Sequence, residues 1–356
     1  MASKRYSYFR FPSVVRLVSI GLVCVLICAT LVRTTIADEV PTPDDALTLT
    51  PVLVIGEEDG ELEFLFGRIV DLAVGPDGTI FVADQTAEHV RVFAPSGEFL
   101  RTIGREGQGP GEFGRLAAIS VDEEGYLLAA DASRVHIFAP DGKPIQSFDT
   151  GSGGRGAFSI ARGPNRTILV TWYDVWSERV VHVYAESGDR ISSHATSFAE
   201  GKDLDVKEEQ SQSGGFVKYD SDAGTLLYAQ LNPFELRLYD PEYQLNSTIA
   251  GGFRSLDMES LFERKADGYV TGLRTQSSGA SFLADGKIFH ATVNRDFTEN
   301  PNPYTVVEVF ERNGEAVGAI VLSEKITFRS ADHDGFVYGF APEPFPQVRK
   351  YRLECD

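Results

Sequence analysis

The chain has 356 residues and a formal net charge of −19, with 42% hydrophobic and 24% charged residues. This composition is typical of a globular protein, and the length suits two average domains or one large all-β domain. Because so acidic a surface repels phosphate backbones and anionic lipids, nucleic acid is excluded as an expected partner.

The first 37 residues are predicted to be a targeting segment. They hold five basic side chains and no acidic one, and an apolar run of 16 residues extends from Leu17 to Val32. Small residues at Thr35 and Ala37 favour cleavage after Ala37, as in a secretory signal peptide. The alternative is an uncleaved anchor in the inner membrane, with residues 17–32 as the only membrane contact. Either interpretation predicts that the rest of the protein is periplasmic or extracellular, with residues 38–46 as the linker between the targeting segment and the folded domain.

A repeated hairpin organises the rest of the chain. Six segments share an alternating apolar pattern and a turn, and each carries an aromatic residue at the same place: Phe93, Phe138, Tyr184, Tyr239, Phe310 and Tyr351. A second hairpin lies upstream of each, as in Arg68–Asp84 and Arg115–Asp131. Four strands per unit and six units predict an all-β, six-bladed β-propeller with four-stranded antiparallel blades over residues 47–356.

The last repeat has only three strands, and its fourth is predicted at the other end of the propeller. The segment Leu49–Ile55 aligns with the outer strands of the other units. We therefore expect this N-terminal strand to complete the C-terminal blade and close the ring, which removes exposed sheet edges.

The glycine-rich stretch GREGQGPGEF, Gly104–Phe113, raises the question of a nucleotide site. Its glycines match the G-x-G-x-x-G spacing, but a dinucleotide fingerprint needs a following helix, and a strand, a turn and a second strand follow here. We interpret the stretch as the joint between the outer strand of one blade and the inner strand of the next, where glycine permits a positive φ.

This joint and the hairpins resemble the NHL and TolB-like six-bladed propellers of exported bacterial proteins. The resemblance covers about residues 47–356 and is weakest around 200–280. It implies the fold and export, but it implies no activity, since propellers host many functions.

Loop lengths indicate which end of the propeller binds a ligand. The turns between strands 1 and 2 and between strands 3 and 4 are tight and share one end, the turn face. The blade-to-blade joints and strand 2–3 loops are longer and share the other end, the joint face, where we expect a ligand. The ligand-binding candidates on this face are Trp172, Trp176, Arg68, Arg105, Arg115, Arg155, Phe297 and Tyr304. The aromatic residues would stack on a sugar or anchor a partner, and the arginines would hold a carboxylate. The alternatives are that the aromatics cover the blade tops and the arginines pair with neighbouring carboxylates.

Other polar residues are predicted to be structural. His136 and His182 occupy one repeat position in different blades, too far apart to share a metal, and are expected to be half-exposed. Asp84, Asp131 and Asp174 close second strands and are expected to cap their own loops. Cys355 is the only cysteine outside the targeting segment, which excludes an internal disulfide or a thiolate metal site in the body.

No nucleophile, zinc-protease or EF-hand motif occurs, so no catalytic residue, metal or cofactor is predicted. The favoured function is a non-enzymatic, monomeric propeller that binds a protein, peptide or glycan. An alternative resembles propeller lactonases and gluconolactonases, which hold calcium in the central channel. Asp71 is the one acidic side chain found in a clearly assigned first strand. A single carboxylate is a poor ligand set for calcium, which takes six to eight oxygen ligands. A third reading is a structural subunit of an envelope complex.

Overall fold

The computed structural model describes residues 33–36, 47–153, 156–174, 178–196, 214–231, 235–250, 263–264, 270–271, 275–294 and 304–355. The predicted targeting run at 17–32 and the linker at 38–46 lie outside these residues. Regular structure in the described part is nearly all β, with short 3-10 helices at Leu62–Phe64 and Pro164–Arg166. No helix in that part is both long and apolar enough to cross a membrane.

The described residues form six sheets that each contain four antiparallel strands, as the repeat predicts, and one of these sheets has a fifth, parallel strand. Blade 1 contains β3 Ile69–Val74, β4 Ile80–Asp84, β5 His89–Phe93 and β6 Phe99–Ile103. Blade 2 contains β9 Ala118–Val121, β10 Leu127–Ala130, β11 Arg134–Phe138 and β12 Pro144–Asp149. Blade 3 contains β13 Ser159–Arg162, β14 Ile168–Asp174, β15 Arg179–Tyr184 and β16 Arg190–Thr196.

The later blades follow the same order. Blade 4 contains β17 Gly215–Asp220, β18 Thr225–Gln230, β19 Glu235–Tyr239 and β20 Leu245–Ala250, with β1 Arg33–Ile36 parallel to β20. Blade 5 contains β23 Thr275–Phe282, β24 Ile288–Asn294, β25 Tyr304–Phe310 and β26 Ala316–Leu322. Blade 6 contains β27 Thr327–Ala331, β28 Phe336–Ala341, β29 Gln347–Cys355 and β2 Leu47–Ile55. Two further strand pairs are β7 Arg105–Glu106 with β8 Glu112–Phe113, and β21 Glu263–Arg264 with β22 Val270–Thr271.

The first strands of the six blades surround a central axis. Each contacts the first strand of the next blade, in the order β3, β9, β13, β17, β23, β27 and back to β3. In blade 6 the strand from the N-terminal side, β2, pairs antiparallel with β29 from Leu47 opposite Cys355 to Ile55 opposite Val348. Side chains on the axial face of these first strands therefore face one another across a channel.

The core lies between neighbouring blades and explains the repeated aromatic. All six aromatic residues of the repeat are buried, from 0% exposure for Phe93 to 6% for Tyr239. Between blades 1 and 2, Phe138 packs in one cluster with Phe81 and Phe113. Full burial of one such side chain contributes about 1.5–3 kcal/mol, so the repeat marks the residues that hold the blades together.

The glycine-rich stretch is the joint between β6 and β9. Gly104 has a φ of +77°, and a Cβ there would lie 2.2 Å from the Phe113 ring. Strand β9, and not a helix, follows the joint. The joint therefore lacks the helix N-terminus on which a dinucleotide-binding loop places the pyrophosphate.

Candidate functional site

Three charged side chains of first strands interact at the channel: Arg329 on β27 contacts Asp71 on β3, and Lys218 on β17 interacts with both through its charge. Asp71 is 7% exposed, and its carboxylate accepts hydrogen bonds from the backbone N–H groups of Leu72 (3.0 Å) and Ile119 (2.9 Å). Arg329 Nε lies 3.2 Å from Asp71 Oδ1 without hydrogen-bond geometry. Burial raises the pKa of Asp71, and the charges of Arg329 and Lys218 oppose that rise.

Arg329 spans the channel. From blade 6 it contacts Asp71 of blade 1, donates to the Ser278 carbonyl of blade 5, and lies 4.3 Å from the centre of the Phe216 ring of blade 4. Burial lowers its pKa, and Asp71 opposes that effect. The arginine lines a cavity on the joint face and does not line a second cavity on the turn face.

The joint-face cavity has a volume of about 420 Å³ and a basic lining. Arg68, Lys325 and Arg329 line it, and no carboxylate does among the residues that the structure describes. Phe158, Phe216 and Phe340 supply aromatic surface. In a chain of net charge −19 such a lining is exceptional, and it suits an anionic group.

Of the predicted binding arginines that the structure describes, Arg68 alone lines this cavity. Its guanidinium donates to the neutral side chain of Gln85 (3.0 Å). Arg105 instead pairs with Glu112 of its own joint (2.7 Å), and Arg115 is exposed away from both channel cavities. Arg155 lies outside the described residues.

Of the predicted aromatic candidates, the structure describes the side chain of one, Trp172. Trp176 and Phe297 lie outside the described residues, and the side chain of Tyr304, the first residue of β25, lies outside them too. The expectation that Trp172 sits in an exposed loop is wrong, because Trp172 lies within β14 and is 2% exposed. Its indole stacks on the His182 ring at 4.2 Å and donates to the Tyr184 hydroxyl, so it packs in the core.

His136 and His182 are fully buried, which corrects the prediction that they are half-exposed. His182 Nε2 donates to the Trp172 carbonyl (3.0 Å), and Nδ1 lies 2.8 Å from the Ser193 hydroxyl. Burial lowers the pKa of His182 to about 4, so the ring is neutral at pH 7. The third strand of a blade is covered on both faces by its neighbours, which the alternating pattern did not reveal.

Asp84 and Asp131, at the ends of second strands, cap their loops as predicted, whereas the Asp174 carboxylate forms an ion pair with Arg190 (3.3 Å). Asp84 accepts from the backbone N–H groups of Gly67 (2.9 Å) and Arg68 (3.0 Å), and from the Arg91 guanidinium (2.9 Å). Asp131 accepts from Gly114 N–H of the preceding joint (3.1 Å) and from Arg134 N–H (2.8 Å). These carboxylates therefore fix the joints to the blades.

The channel donors do not fit a calcium ion. Asp71 is the carboxylate at the centre, and it already holds two backbone N–H groups beside two cationic side chains. Calcium takes six to eight oxygen ligands, usually several of them carboxylates. The described part of the chain brings no three His, Cys, Asp or Glu side chains together as a metal site.

Sequence reasoning missed Lys218 and Arg329. Lys218 lies between Val217 and Tyr219 in β17, and Arg329 follows Phe328 in β27. A long cationic side chain beside apolar residues in an inner strand was the available signal. The blade 4 and blade 6 first strands had to be placed before it could be used.

Comparisons with known proteins agree with this fold. A family model described as a 6-bladed beta-propeller, DUF5128, matches residues 61–145. A Bacteroides fragilis protein described as exported is 12% identical, with a TM-score of 0.59 over 90% of this chain and 100% of that one. A DUF4221 family member from Bacteroides vulgatus is 11% identical, with a TM-score of 0.60 over 87% and 99%.

A virginiamycin B lyase from Staphylococcus aureus is also similar, at 8% identity and a TM-score of 0.50 over 87% of this chain and 100% of that one. No curated protein matches the chain by sequence. Identities this low establish the fold alone. The six-bladed β-propeller is confirmed, and the narrower likeness to NHL and TolB-like proteins stays a prediction.

Proposed function

We propose that this propeller is an exported, non-enzymatic binding protein that holds an anionic group of a protein, peptide or glycan in its joint-face cavity. The observation that carries the proposal is the lining of that cavity by Arg68, Lys325 and Arg329, with no described carboxylate among them. An acidic chain that concentrates cationic side chains at one channel mouth attracts carboxylates there and repels them elsewhere.

The geometry favours a carboxylate over a neutral ligand. Arg329 Nε is buried and forms no hydrogen bond to a described residue, although it lies 3.2 Å from Asp71 Oδ1, and burial lowers the pKa of its guanidinium. A bound anion adds charge-assisted hydrogen bonds to this side chain. Phe158, which is 37% exposed, adds an apolar wall for the rest of a ligand.

Export is supported by the predicted targeting segment and by the exported Bacteroides fragilis protein of similar structure. Cell-envelope polymers and peptides carry carboxylates, so an extracytoplasmic receptor for an anionic group has ligands within reach. The calcium-dependent hydrolase has no comparable support, because the donors at the channel centre do not fit the ion.

The test is calorimetric titration of the protein with two carboxylate probes, a hexaglutamate peptide and an oligogalacturonate. Removing a hydrogen bond to a charged group costs about 1.5–3 kcal/mol, so Arg68→Gln weakens binding of the recognised probe by about tenfold or more. Arg105→Gln is the matched control, since Arg105 is 79% exposed, sits in a joint and does not line the cavity. Failure of both probes to bind, or equal effects of the two substitutions, would contradict the proposal.

A further inference from the structure

The turn face carries a second cavity that the proposed function does not use. It has a volume of about 730 Å³, within the range of sites for small ligands. The strand 1–2 turns of blades 2 to 6 form its mouth, and β3 of blade 1 reaches it at Val74. Arg329 does not line it, so it is distinct from the joint-face cavity.

The floor of this cavity is an ammonium group among hydroxyls. Lys218 lines it together with Ser120, Ser281 and Ser330. Ser120, Ser281 and Ser330 each lie one residue before the end of their first strand, and Lys218 lies two residues before the end of β17. The four side chains therefore lie at nearly the same level of the channel. The three serines are at most 7% exposed, and their hydroxyls form no hydrogen bond to another described residue.

Lys218 is not neutralised by a close carboxylate. No hydrogen bond or ion pair within the described residues includes its ammonium group, although it interacts over a longer distance with Asp71. Burial lowers its pKa, Asp71 opposes this effect, and Arg329 adds to it. An ammonium group and three hydroxyls that all donate make a receptor for a carboxylate.

The mouth has the opposite charge. Seven carboxylates line the cavity near its opening, from Asp122, Glu123, Glu124, Asp220, Asp222, Asp285 and Asp332. Arg162 pairs with Asp122 (2.9 Å), Arg166 with Glu124 (2.7 Å), and Arg312 with Asp220. Lys287 pairs with Asp285 as well, so four cationic side chains face seven carboxylates and the mouth stays negative. Tyr219 and Phe282 add aromatic surface between the charged groups.

A ligand complementary to this cavity carries a carboxylate at its leading end and a cationic group behind it. We propose that the turn-face cavity binds the C-terminus of a short peptide, with the terminal carboxylate on Lys218 and the floor serines and a cationic group among the mouth carboxylates. An anion without a trailing cation meets the negative mouth, and a cation without a carboxylate meets Lys218. Both are therefore disfavoured.

The experiment is calorimetric titration with the tripeptide Lys-Ala-Ala as the free acid and as the C-terminal amide. The free acid is expected to bind about tenfold or more tightly than the amide, since the amide loses the charge-assisted bonds to Lys218. Lys218→Met abolishes this preference. Lys143→Met, at an 82% exposed lysine in a turn of the same face, preserves it. Circular dichroism and a thermal melt verify that each variant is folded.

Two further variants make the outcome decisive. Ser120→Ala with Ser330→Ala removes floor hydroxyls without touching a charge and is expected to weaken the free acid by about threefold to tenfold. Arg68→Gln leaves tripeptide binding unchanged, which separates this site from the joint-face proposal. Equal affinity for acid and amide, retained preference in Lys218→Met, or no binding of either tripeptide by the unmodified protein would overturn the inference.

Discussion

Replacing Asp131 by Asn is expected to destabilise the whole propeller. One carboxylate oxygen accepts from the N–H groups of Ser133 (3.0 Å) and Arg134 (2.8 Å). The other accepts from Gly114 N–H (3.1 Å), from Arg134 Nη2 (3.0 Å) and from His136 Nε2 (3.2 Å). An asparagine keeps one acceptor oxygen, so its amide NH2 group faces at least two donors in either orientation.

The magnitude follows from those contacts. Asp131 has a side-chain exposure of 2% and pairs with Arg134, and breaking a buried pair by removing one partner costs about 3–5 kcal/mol. Burial alone raises the pKa of Asp131, but hydrogen bonds from His136 and from backbone N–H groups hold it well below the usual value of 3.8. A carboxyl with a lowered folded-state pKa stabilises the protein above the unfolded-state pKa, and this contribution is lost as the pH falls.

The assay is urea unfolding followed by circular dichroism at pH 7 and at lower pH. The control is Asp141→Asn, because the Asp141 carboxylate is 53% exposed and pairs only with Lys143 of its own turn among the described contacts. The control should match the unmodified protein at pH 7. A loss below about 1 kcal/mol for Asp131→Asn, the size of one ordinary hydrogen bond, would refute the reasoning. A difference from the unmodified protein that does not shrink as the pH falls below 4 would do the same.

Three further results are expected. Burial lowers the pKa of His182 from 6.5 to about 4. The free energy of unfolding therefore falls as the pH drops from 6.5 to 4, by up to about 3 kcal/mol. Urea unfolding of His182→Gln should show a shallower pH dependence than that of the unmodified protein. Leu47→Ala and Ile55→Ala remove buried side chains from β2 and should each cost about 2–5 kcal/mol in the same assay, while Val52→Ala, at a 53% exposed position, changes stability by less than about 0.5 kcal/mol. The melting temperature in EDTA and in added Ca²⁺ should be the same; a rise with Ca²⁺ would show that a cation binds the folded state.

The fold was predictable because it repeats. An aromatic such as Phe138 or Tyr184 recurs wherever one blade must pack on the next, so a single physical requirement appears six times in the sequence. The tight turns and the joint at Gly104–Phe113 were placed correctly for the same reason. Repetition turns a weak local pattern into a strong one.

The site was predictable only in part. Arg68 follows a joint, so its position in the repeat predicts that it lies on the joint face, where it lines the basic cavity; its role in binding stays a prediction. Trp172 was misplaced because the stretch interpreted as a loop begins inside β14, which extends to Asp174 and carries the indole into the core. Lys218 and Arg329 belong to blades whose first strands diverge from the repeat, and their meeting with Asp71 depends on closure of the ring. Contacts across the axis join residues far apart in sequence, which local patterns do not encode.

The most direct test of anion capture is a crystal of the protein soaked with triiodoisophthalate, a compact dicarboxylate whose iodine atoms are located by anomalous scattering. The account predicts an iodine signal in the joint-face cavity, with a carboxylate within hydrogen-bond distance of Arg68 or Arg329. A joint-face cavity that holds no triiodoisophthalate while the compound occupies other surfaces would contradict it.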